Sequence, residues 1–282
     1  NLITNWPYSA VTNWWELAYD PATEGMSTYT REEIERAAEI RESMLKYARS
    51  RGLDTYLMNY VPGAPTASVM KSHPEIVGEK PLPHYPESFA LSNPKTTELF
   101  ETQIRAIVRT YPSLNGLHLR WWGESFVNPK DGKKAMEELT LAIARTGDET
   151  RSGFRILMSG FFRSGGTADF AQRLPDGTVL QTKWGNDWEP LPDPNVSMER
   201  IRAVQKPMLI SQCIPGEEYH SIGGSQYRST AAGVTKYAKA AKDVPNLKGF
   251  AIVVGEKDHE WITVVDLMTL ARLNWSPLGT NT

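Results

Sequence analysis

The 282 residues include 31 basic and 33 acidic side chains, a net charge of −2, so the chain has no general attraction to phosphate backbones and nucleic acid is not a predicted partner. A single cysteine, Cys213, excludes an intrachain disulfide framework and cannot form a structural zinc site by itself. With 40% hydrophobic residues one large core is possible, and we expect residues 1–282 to form a single domain. The sequence contains no stretch of about 18 apolar residues, so no membrane span is predicted. The sequence does not determine the compartment or the oligomeric state.

A strand pattern opens the chain and is followed by a loop rich in aromatic residues. Because the sequence enters this strand at Leu2 without a leading methionine, we interpret it as a segment of a longer protein. The loop aromatics lie among Pro, Asn and Ser, and they are Trp6, Tyr8, Trp14, Trp15 and Tyr19. Indole rings pack well against the C–H faces of sugars, so the loop indicates a sugar-binding rim with Trp6 as a substrate contact. The alternative is a loop held down by its own aromatic side chains.

Helix and strand patterns then alternate to the end of the chain. Thr30 and Glu33 predict a capping box at the start of the first helix. Six residues predict the inward face of that helix: Ile34, Ala37, Ala38, Met44, Leu45 and Ala48. Residues 53–60 predict a strand that leads into a Pro-rich loop reaching Phe89. The later elements are a helix from Pro94 to Tyr111, a strand over 116–122, a helix near 134–145, a strand over 154–162, a helix over 168–174, a strand over 178–184, a helix over 197–205, a strand over 207–214, a helix over 230–242, a strand over 247–254 and a helix over 260–273.

This alternation, about seven times at roughly forty-residue spacing, is typical of a parallel sheet with helical crossovers. The units share no motif, so the spacing reflects architecture and does not indicate a repeat array. Two parallel architectures compete, the closed eightfold barrel and the open doubly wound sheet. No glycine-rich phosphate turn follows the early strands, which disfavours a nucleotide-binding open sheet. We therefore predict an α/β fold of the TIM (β/α)8 barrel type that lacks its first βα unit in this chain.

The segment Trp-Trp-Gly-Glu lies at the carboxyl end of the strand predicted over 116–122. Two adjacent indoles, Trp121 and Trp122, are favourable at a strand end when one covers the core and the other faces a ligand. Glu124 follows them and is the first candidate acid. The alternative is that both indoles cap the core and Glu124 is a solvated loop residue.

Other carboxyl groups also follow predicted strands. They are Asp187, Glu217, Glu218, Glu256 and Asp258. Catalytic groups of a (β/α)8 barrel project from the carboxyl ends of its strands, and two carboxyl groups flanking a glycosidic bond are the usual equipment for its hydrolysis. Arg120 and Lys183, also at strand ends, suit a substrate that carries a carboxylate. Any single acid of this kind can equally be a loop cap.

Four segments carry a distributed resemblance to a known family. The segments are Tyr111-Pro112-x-x-x-Gly116-Leu-His-Leu-Arg120-x-x-x-Glu124; Val179-Leu-Gln-Thr-Lys183-Trp-Gly-Asn-Asp187-Trp188; Met208 to Tyr219, with Gln212 and Glu218; and Trp261 to Pro277, with Asp266-Leu267 and Arg272-Leu-Asn-Trp275. They resemble the corresponding segments of the α-glucuronidases that remove glucuronic acid or its 4-O-methyl ether from xylan. The resemblance covers the chain from about residue 53 onward.

The resemblance implies that Glu124 is the general acid and that Asp187 and Glu218 position and deprotonate the attacking water. It also implies that Arg120 and Lys183 contact the substrate carboxylate, with inversion of configuration and without a metal or cofactor. Further substrate contacts are expected at Trp121, Trp122, Trp184, Trp188, Glu217 and Tyr219.

The chain also departs from the family pattern. Arg120 stands where the family has lysine, Ser159 stands where it has a strand arginine, and the segment bearing Glu218 is about two residues longer. The family's β-rich domain before the barrel and helical domain after it have no counterpart in this sequence.

We therefore predict a glycoside hydrolase that removes a terminal sugar, with a uronic acid favoured, from an oligosaccharide or a polysaccharide-derived substrate. One alternative is a barrel that binds carbohydrate through a Trp-rich rim but does not hydrolyse it, and another is a barrel glycosidase acting on a neutral sugar. A third is a metal-dependent hydrolase, which would use some of His73, His84, His118, His220 and His259. These histidines include no close pair of the kind that metal sites use, which disfavours the third alternative.

Overall fold

The computed structural model describes residues 2–5, 13–79, 87–121, 132–162, 165–183, 194–213 and 243–253. The chain divides into two compact units, Asn1–Ser159 with Arg173–Thr178, and Gly160–Gln172 with Val179–Thr282. The helices predicted over 230–242 and 260–273 lie outside the described residues.

The described strands and helices follow the predicted alternation. In chain order they are β1 Leu2–Asn5, α1 Arg31–Ser50, β2 Asp54–Tyr60, α2 Ala67–Ser72, β3 Val77–Gly78, β4 Ser88–Phe89, α3 Pro94–Thr110, β5 Gly116–Arg120, α4 Gly132–Thr150, β6 Arg155–Ser159, α5 Ala168–Arg173, β7 Val179–Lys183, α6 Pro194–Ala203, β8 Met208–Cys213 and β9 Leu247–Val253. No helix in the described ranges is long and apolar enough to cross a lipid bilayer.

Parallel strands form the sheet in each unit, and each strand pairs with the next long strand in the chain. In the first unit β1 pairs with β2, β2 with β5 and β5 with β6. In the second unit β7 pairs with β8 and β8 with β9. A doubly wound sheet reverses its strand order at a switch point, and no reversal occurs among the described strands of either unit. This sequential order is what the predicted barrel requires.

The first helix shows how local sequence sets the elements. The Thr30 hydroxyl accepts a hydrogen bond from the Glu33 backbone N–H, and the Glu33 carboxylate accepts one from the Thr30 backbone N–H, so the predicted capping box is confirmed. Ile34, Ala38 and Leu45 are buried as predicted. The prediction was wrong for Met44, which is 63% exposed.

Two other predictions needed correction. The Pro-rich loop after β2 contains α2, whose N-cap is Thr66, and the short antiparallel pair of β3 and β4. The helix predicted from Ser197 begins three residues earlier at Pro194, because proline is well tolerated in the first helical turn.

The central strand β5 divides its residues between two faces of the first sheet. Leu117 and Leu119 alternate with His118 and Arg120, and all four are buried. Side chains that are in register on parallel neighbours share a face, so the polar face also carries residues of β2 and β6. These neighbours are Tyr56, Met58 and Tyr60 on β2, and Arg155, Leu157 and Ser159 on β6. The opposite face of β5 and β6 is apolar and therefore suits packing against the helices.

Gly116 begins β5 at the amino end of the polar face. A Cβ atom placed there would lie 2.0 Å from the Arg155 carbonyl oxygen and 2.8 Å from the Tyr56 ring. The close approach of β6 therefore requires glycine at this position.

Candidate functional site at the strand ends

The carboxyl ends of three strands directly precede the segments in which the sequence places its acids. The strand β5 ends at Arg120, β7 ends at Lys183 and β8 ends at Cys213. Lys183 is in register with Ser211 of β8. Nine predicted site residues lie outside the described residues, so their roles stay predictions: Trp6, Trp122, Glu124, Trp184, Asp187, Trp188, Glu217, Glu218 and Tyr219. The side chains described among the predicted site residues are those of Arg120 and Trp121.

Arg120 lies at the carboxyl end of the polar face, in register with Tyr60 on one side and Ser159 on the other. Its side chain is buried, with 7% exposure. The guanidinium carbon lies 4.9 Å from the centroid of the Tyr60 ring, within the range of a cation–π interaction. The structure therefore holds a cation and an aromatic ring together at the edge where barrel enzymes place their catalytic groups.

Backbone hydrogen bonds fix this edge one residue beyond the strand ends. The Val61 N–H donates to the Arg120 carbonyl at 3.2 Å, and the Trp121 N–H donates to the Ser159 carbonyl at 2.9 Å. The Trp14 indole N–H lies 3.0 Å from the Tyr60 carbonyl oxygen, which accepts from it. Arg120 and Tyr60 therefore lie on a backbone that neighbouring segments hold on both sides.

His118 lies beneath Arg120 on the same face of β5. Both of its ring nitrogens are buried and have no hydrogen-bond partner among the described residues. Burial and then the positive charge of Arg120 lower the pKa of His118 to about 3. The imidazole is therefore neutral at ordinary pH, and Arg120 carries the charge at this end of the strand.

Trp121 is the first residue after β5 and is fully buried, with 0% exposure. Of the two adjacent indoles, Trp121 therefore covers the core, as the sequence interpretation required of one of them. Its predicted role as a substrate contact stays a prediction. The prediction that the second indole faces a ligand falls on Trp122, which lies outside the described residues.

The loop before α1 does not provide an exposed aromatic rim at its two described tryptophans. Trp14 and Trp15 are 1% and 2% exposed and pack at 5.9 and 5.4 Å between ring centroids against Phe100. The buried amide of Gln103 donates to the carbonyl oxygens of Trp14 and Ala18, both at 2.9 Å. The rim interpretation was therefore wrong for Trp14 and Trp15, and the alternative of a loop held down by its own aromatics is confirmed for them.

Arg120, Tyr60 and His118 form what we call the strand-end cluster, and two of these residues were not predicted as site residues. Tyr60 was predicted only as a strand residue, although its place at the carboxyl end of a strand, like that of Arg120, is a usable signal. His118 was considered only as one of five dispersed histidines. Strand alternation places it on the face of Arg120 and could have identified it.

The described residues include no group of three or more His, Cys, Asp and Glu side chains that could hold a metal ion. Of the five histidines, His73 places Nδ1 2.9 Å from a carboxylate oxygen of Glu75. His118 is the buried residue of the strand-end cluster. His84, His220 and His259 lie outside the described ranges.

Comparisons with known proteins identify the fold. No protein-family model matches the chain, and no curated protein sequence does. A GH138 enzyme targeting pectin rhamnogalacturonan II is similar in structure, with a TM-score of 0.62, 13% identity, and coverage of 89% of this chain and 28% of that one. The family 89 glycoside hydrolase from Clostridium perfringens gives a TM-score of 0.62 at 12% identity, covering 100% of this chain and 34% of that one.

The N-acetyl-β-hexosaminidase from Streptomyces plicatus gives a TM-score of 0.55 at 18% identity, covering 97% of this chain and 56% of that one. The chain thus spans between 28% and 56% of the length of these three structures. The likeness confirms the predicted fold class. The chain has the α/β fold of the TIM-barrel type that these glycoside hydrolases share.

Proposed function

We propose that the chain is a glycoside hydrolase that removes a terminal uronic acid from an oligosaccharide or a polysaccharide-derived substrate by inverting acid/base catalysis. One observation carries this proposal. The buried guanidinium of Arg120 lies at the carboxyl end of a parallel strand, four positions before Glu124, in a fold shared with glycoside hydrolases. Residues 1–282 are proposed to act as one catalytic domain.

The buried cation favours an anionic substrate over a neutral one. Removing a guanidinium from water is unfavourable, and a carboxylate that binds to it in the same low-dielectric surroundings offsets that cost. A guanidinium also matches the geometry of a carboxylate, because two parallel N–H groups can bind its two oxygen atoms. A neutral sugar offers no comparable charge, so Arg120 supports a uronic acid as the terminal residue.

The departures from the α-glucuronidase pattern lie side by side. Arg120 replaces the lysine of the family, and Ser159 replaces an arginine on the next strand, in register with Arg120. The polar face at this level therefore has one guanidinium on β5 and a small hydroxyl on β6. A substrate carboxylate is retained in this proposal, but its position is shifted toward β5.

The catalytic roles follow from the same proposal. Glu124 is the general acid, and the chain between Arg120 and Glu124 can span no more than about 14 Å. Asp187 and Glu218, which follow the ends of β7 and β8, position and deprotonate the attacking water. Lys183, the last residue of β7, is a second contact for the carboxylate. Aromatic and polar substrate contacts are proposed at Trp6, Trp122, Trp184, Trp188, Glu217 and Tyr219, whereas Trp121 is fully buried and supports the strand end from the core.

The structural neighbours support a carbohydrate substrate. The GH138 enzyme targets pectin rhamnogalacturonan II, and the Clostridium perfringens enzyme was solved with 2-acetamido-1,2-dideoxynojirmycin. These proteins differ in their targets, so they support glycoside hydrolysis in general. The preference for a uronic acid rests on Arg120 and on the family resemblance.

Hydrolysis of a matched panel tests the proposal. The panel pairs aldouronic acids and aryl uronosides with the neutral glycosides that differ from them only at C6, and NMR reads the anomer of the first product. We expect faster hydrolysis of the uronosides and inverted configuration in the product, since the carboxyl groups of inverting enzymes leave room for water between them. A preference for the neutral partner would refute the uronic acid, and a retained configuration would refute the roles given to Asp187 and Glu218. Sugar binding without hydrolysis of any substrate would favour the non-catalytic barrel.

A further inference from the structure

We propose that His118 is a positioning residue for Arg120, and that its imidazole holds a buried water that bridges to the guanidinium and fixes the direction in which this cation meets the substrate. The inference rests on the proposed function in one respect, because the carboxylate that Arg120 meets is the one proposed above. Nothing in the roles proposed for the acids requires His118.

The geometry of β5 places the two side chains together. His118 and Arg120 are two positions apart on one strand and therefore project from the same face. The residues in register with His118 on the neighbouring strands are Met58 and Leu157, and both are apolar and buried. Arg120 is therefore the charged group of this face next to the imidazole, and neither neighbouring strand adds a titratable side chain at that level.

The burial of the imidazole is unfavourable without a polar partner. A neutral imidazole has one N–H donor and one acceptor nitrogen, and neither nitrogen of His118 is bonded within the described part of the chain. Leaving such groups unsatisfied is destabilising, whereas leucine at the same position would carry no such penalty. Buried polar groups in proteins are normally satisfied by protein atoms or by ordered water, and no described protein atom bonds either ring nitrogen, so the inferred partner is an ordered water.

The charge state of the imidazole suits this role. Burial and the Arg120 charge lower the pKa of His118 to about 3, so the ring keeps its acceptor lone pair at ordinary pH. A neutral ring can accept a hydrogen bond from a water that in turn accepts from the guanidinium. A protonated ring could only repel that cation.

A measurement without substrate tests the coupling itself. Protein labelled with ¹⁵N-histidine gives long-range ¹H–¹⁵N spectra that report the tautomer and protonation of each ring. We expect one neutral ring that does not titrate between pH 5 and 8, that disappears in His118→Leu and that shifts in Arg120→Gln but not in Arg155→Gln. A His118 ring that titrates near its ordinary pKa, or one that is insensitive to Arg120→Gln, would overturn the inference.

A kinetic measurement tests its consequence for the substrate. For a uronoside that the wild-type protein hydrolyses, we expect His118→Leu to raise KM about threefold to tenfold and to leave kcat within about twofold, because one bridging hydrogen bond is lost. His118→Asn should recover most of the loss, and the matched variant Met58→Leu in the neighbouring register position should behave as wild type. Equal losses on uronosides and neutral glycosides, or no rescue by asparagine, would overturn the inference.

The two experiments separate the two proposals. If no uronoside is hydrolysed while the Arg120-dependent shift of the His118 signal is present, the proposed function fails and the positioning role stands. If uronosides are hydrolysed while that shift is absent, the positioning role fails and the proposed function stands.

Discussion

Arg155 and Arg120 lie on neighbouring parallel strands, but at opposite ends of the polar face and in opposite surroundings. The Arg155 side chain is 49% exposed and donates to the Asp54 carboxylate at 2.8 Å. A hydrogen bond to Tyr56 and the charges of Tyr56 and Asp54 raise its pKa. Arg120 is 7% exposed and lies against the Tyr60 ring.

The difference separates a structural cation from a functional candidate. An exposed ion pair such as that of Arg155 contributes little to stability, because water screens it and both side chains must be ordered. A buried guanidinium costs much more to desolvate, so a protein keeps one where it has a use. The comparison therefore assigns the amino end of this face to folding and supports a binding role for its carboxyl end.

The largest expected effect is on the amino end and concerns folding. Gly116→Ala would place a Cβ atom 2.0 Å from the Arg155 carbonyl oxygen, so β5 and β6 could not keep their separation. We expect the free energy of unfolding to fall by more than about 3 kcal/mol, measured by urea denaturation. Gly177→Ala is the matched control, because no atom lies within 4 Å of the position that its methyl group would take, and its stability should change by less than about 1 kcal/mol. Equal stability of the two variants would contradict the close strand approach.

The next effect concerns binding at the carboxyl end. Arg120→Gln removes the charge, and we expect kcat/KM for a uronoside to fall roughly 10- to 150-fold, the value of about 1.5–3 kcal/mol for a hydrogen bond to a charged group. Arg155→Gln, the matched arginine of the neighbouring strand, should change kcat/KM less than about threefold. Steady-state kinetics on uronosides and on their neutral partners measures both. An equal loss on both substrate classes would mean that Arg120 does not discriminate by charge.

A smaller effect distinguishes the buried histidine. Unfolded His118 takes up a proton near pH 6.5, whereas the folded pKa is about 3, so its contribution to stability is complete above pH 6.5 and is lost as the pH falls toward 3. His118→Leu should remove up to one proton from this dependence, which is about 1.4 kcal/mol per pH unit. Urea midpoints of both proteins between pH 7 and 4 measure the difference in slope. Parallel curves would show that His118 is not buried in its neutral form.

The smallest effect tests the exposed ion pair. Asp54→Asn should lower the free energy of unfolding by no more than about 1 kcal/mol, because Asp54 and Arg155 are both largely exposed to water. The loss should shrink further in high salt, which screens exposed charges. A loss of several kcal/mol in the same urea titration would show that the amino end depends on this pair, and the contrast between the two arginines would then disappear.

Strand periodicity and caps allowed most of the described fold to be predicted from sequence. The capping box of Thr30 with Glu33, the start of α3 at Pro94 and the positions of Arg120 and Lys183 at strand ends all depend on local residues. Sequential pairing of parallel strands follows from the alternation of helix and strand. These features need no long-range information.

The parts that failed depend on contacts between distant segments. Trp14 and Trp15 are buried because Phe100 and Gln103 of α3 pack against this loop and bond to it. The residues near these two tryptophans in sequence do not predict those contacts. Tyr60 joins the site because β2 is in register with β5, which sequence alone does not fix. Met44 lies on the predicted apolar stripe of α1 but faces outward. Helical periodicity gives the direction of the buried face, but it does not tell how wide that face is.

The most direct test of the central claim is Glu124→Gln assayed on two uronosides that differ only in leaving group. A general acid contributes about 10²–10⁴-fold to rate by protonating the leaving oxygen, and a good leaving group needs little of that help. We therefore expect kcat to fall by about that factor on the poor leaving group and much less on the activated aryl uronoside, with KM nearly unchanged. Undiminished turnover of the substrate with the poor leaving group would contradict the account.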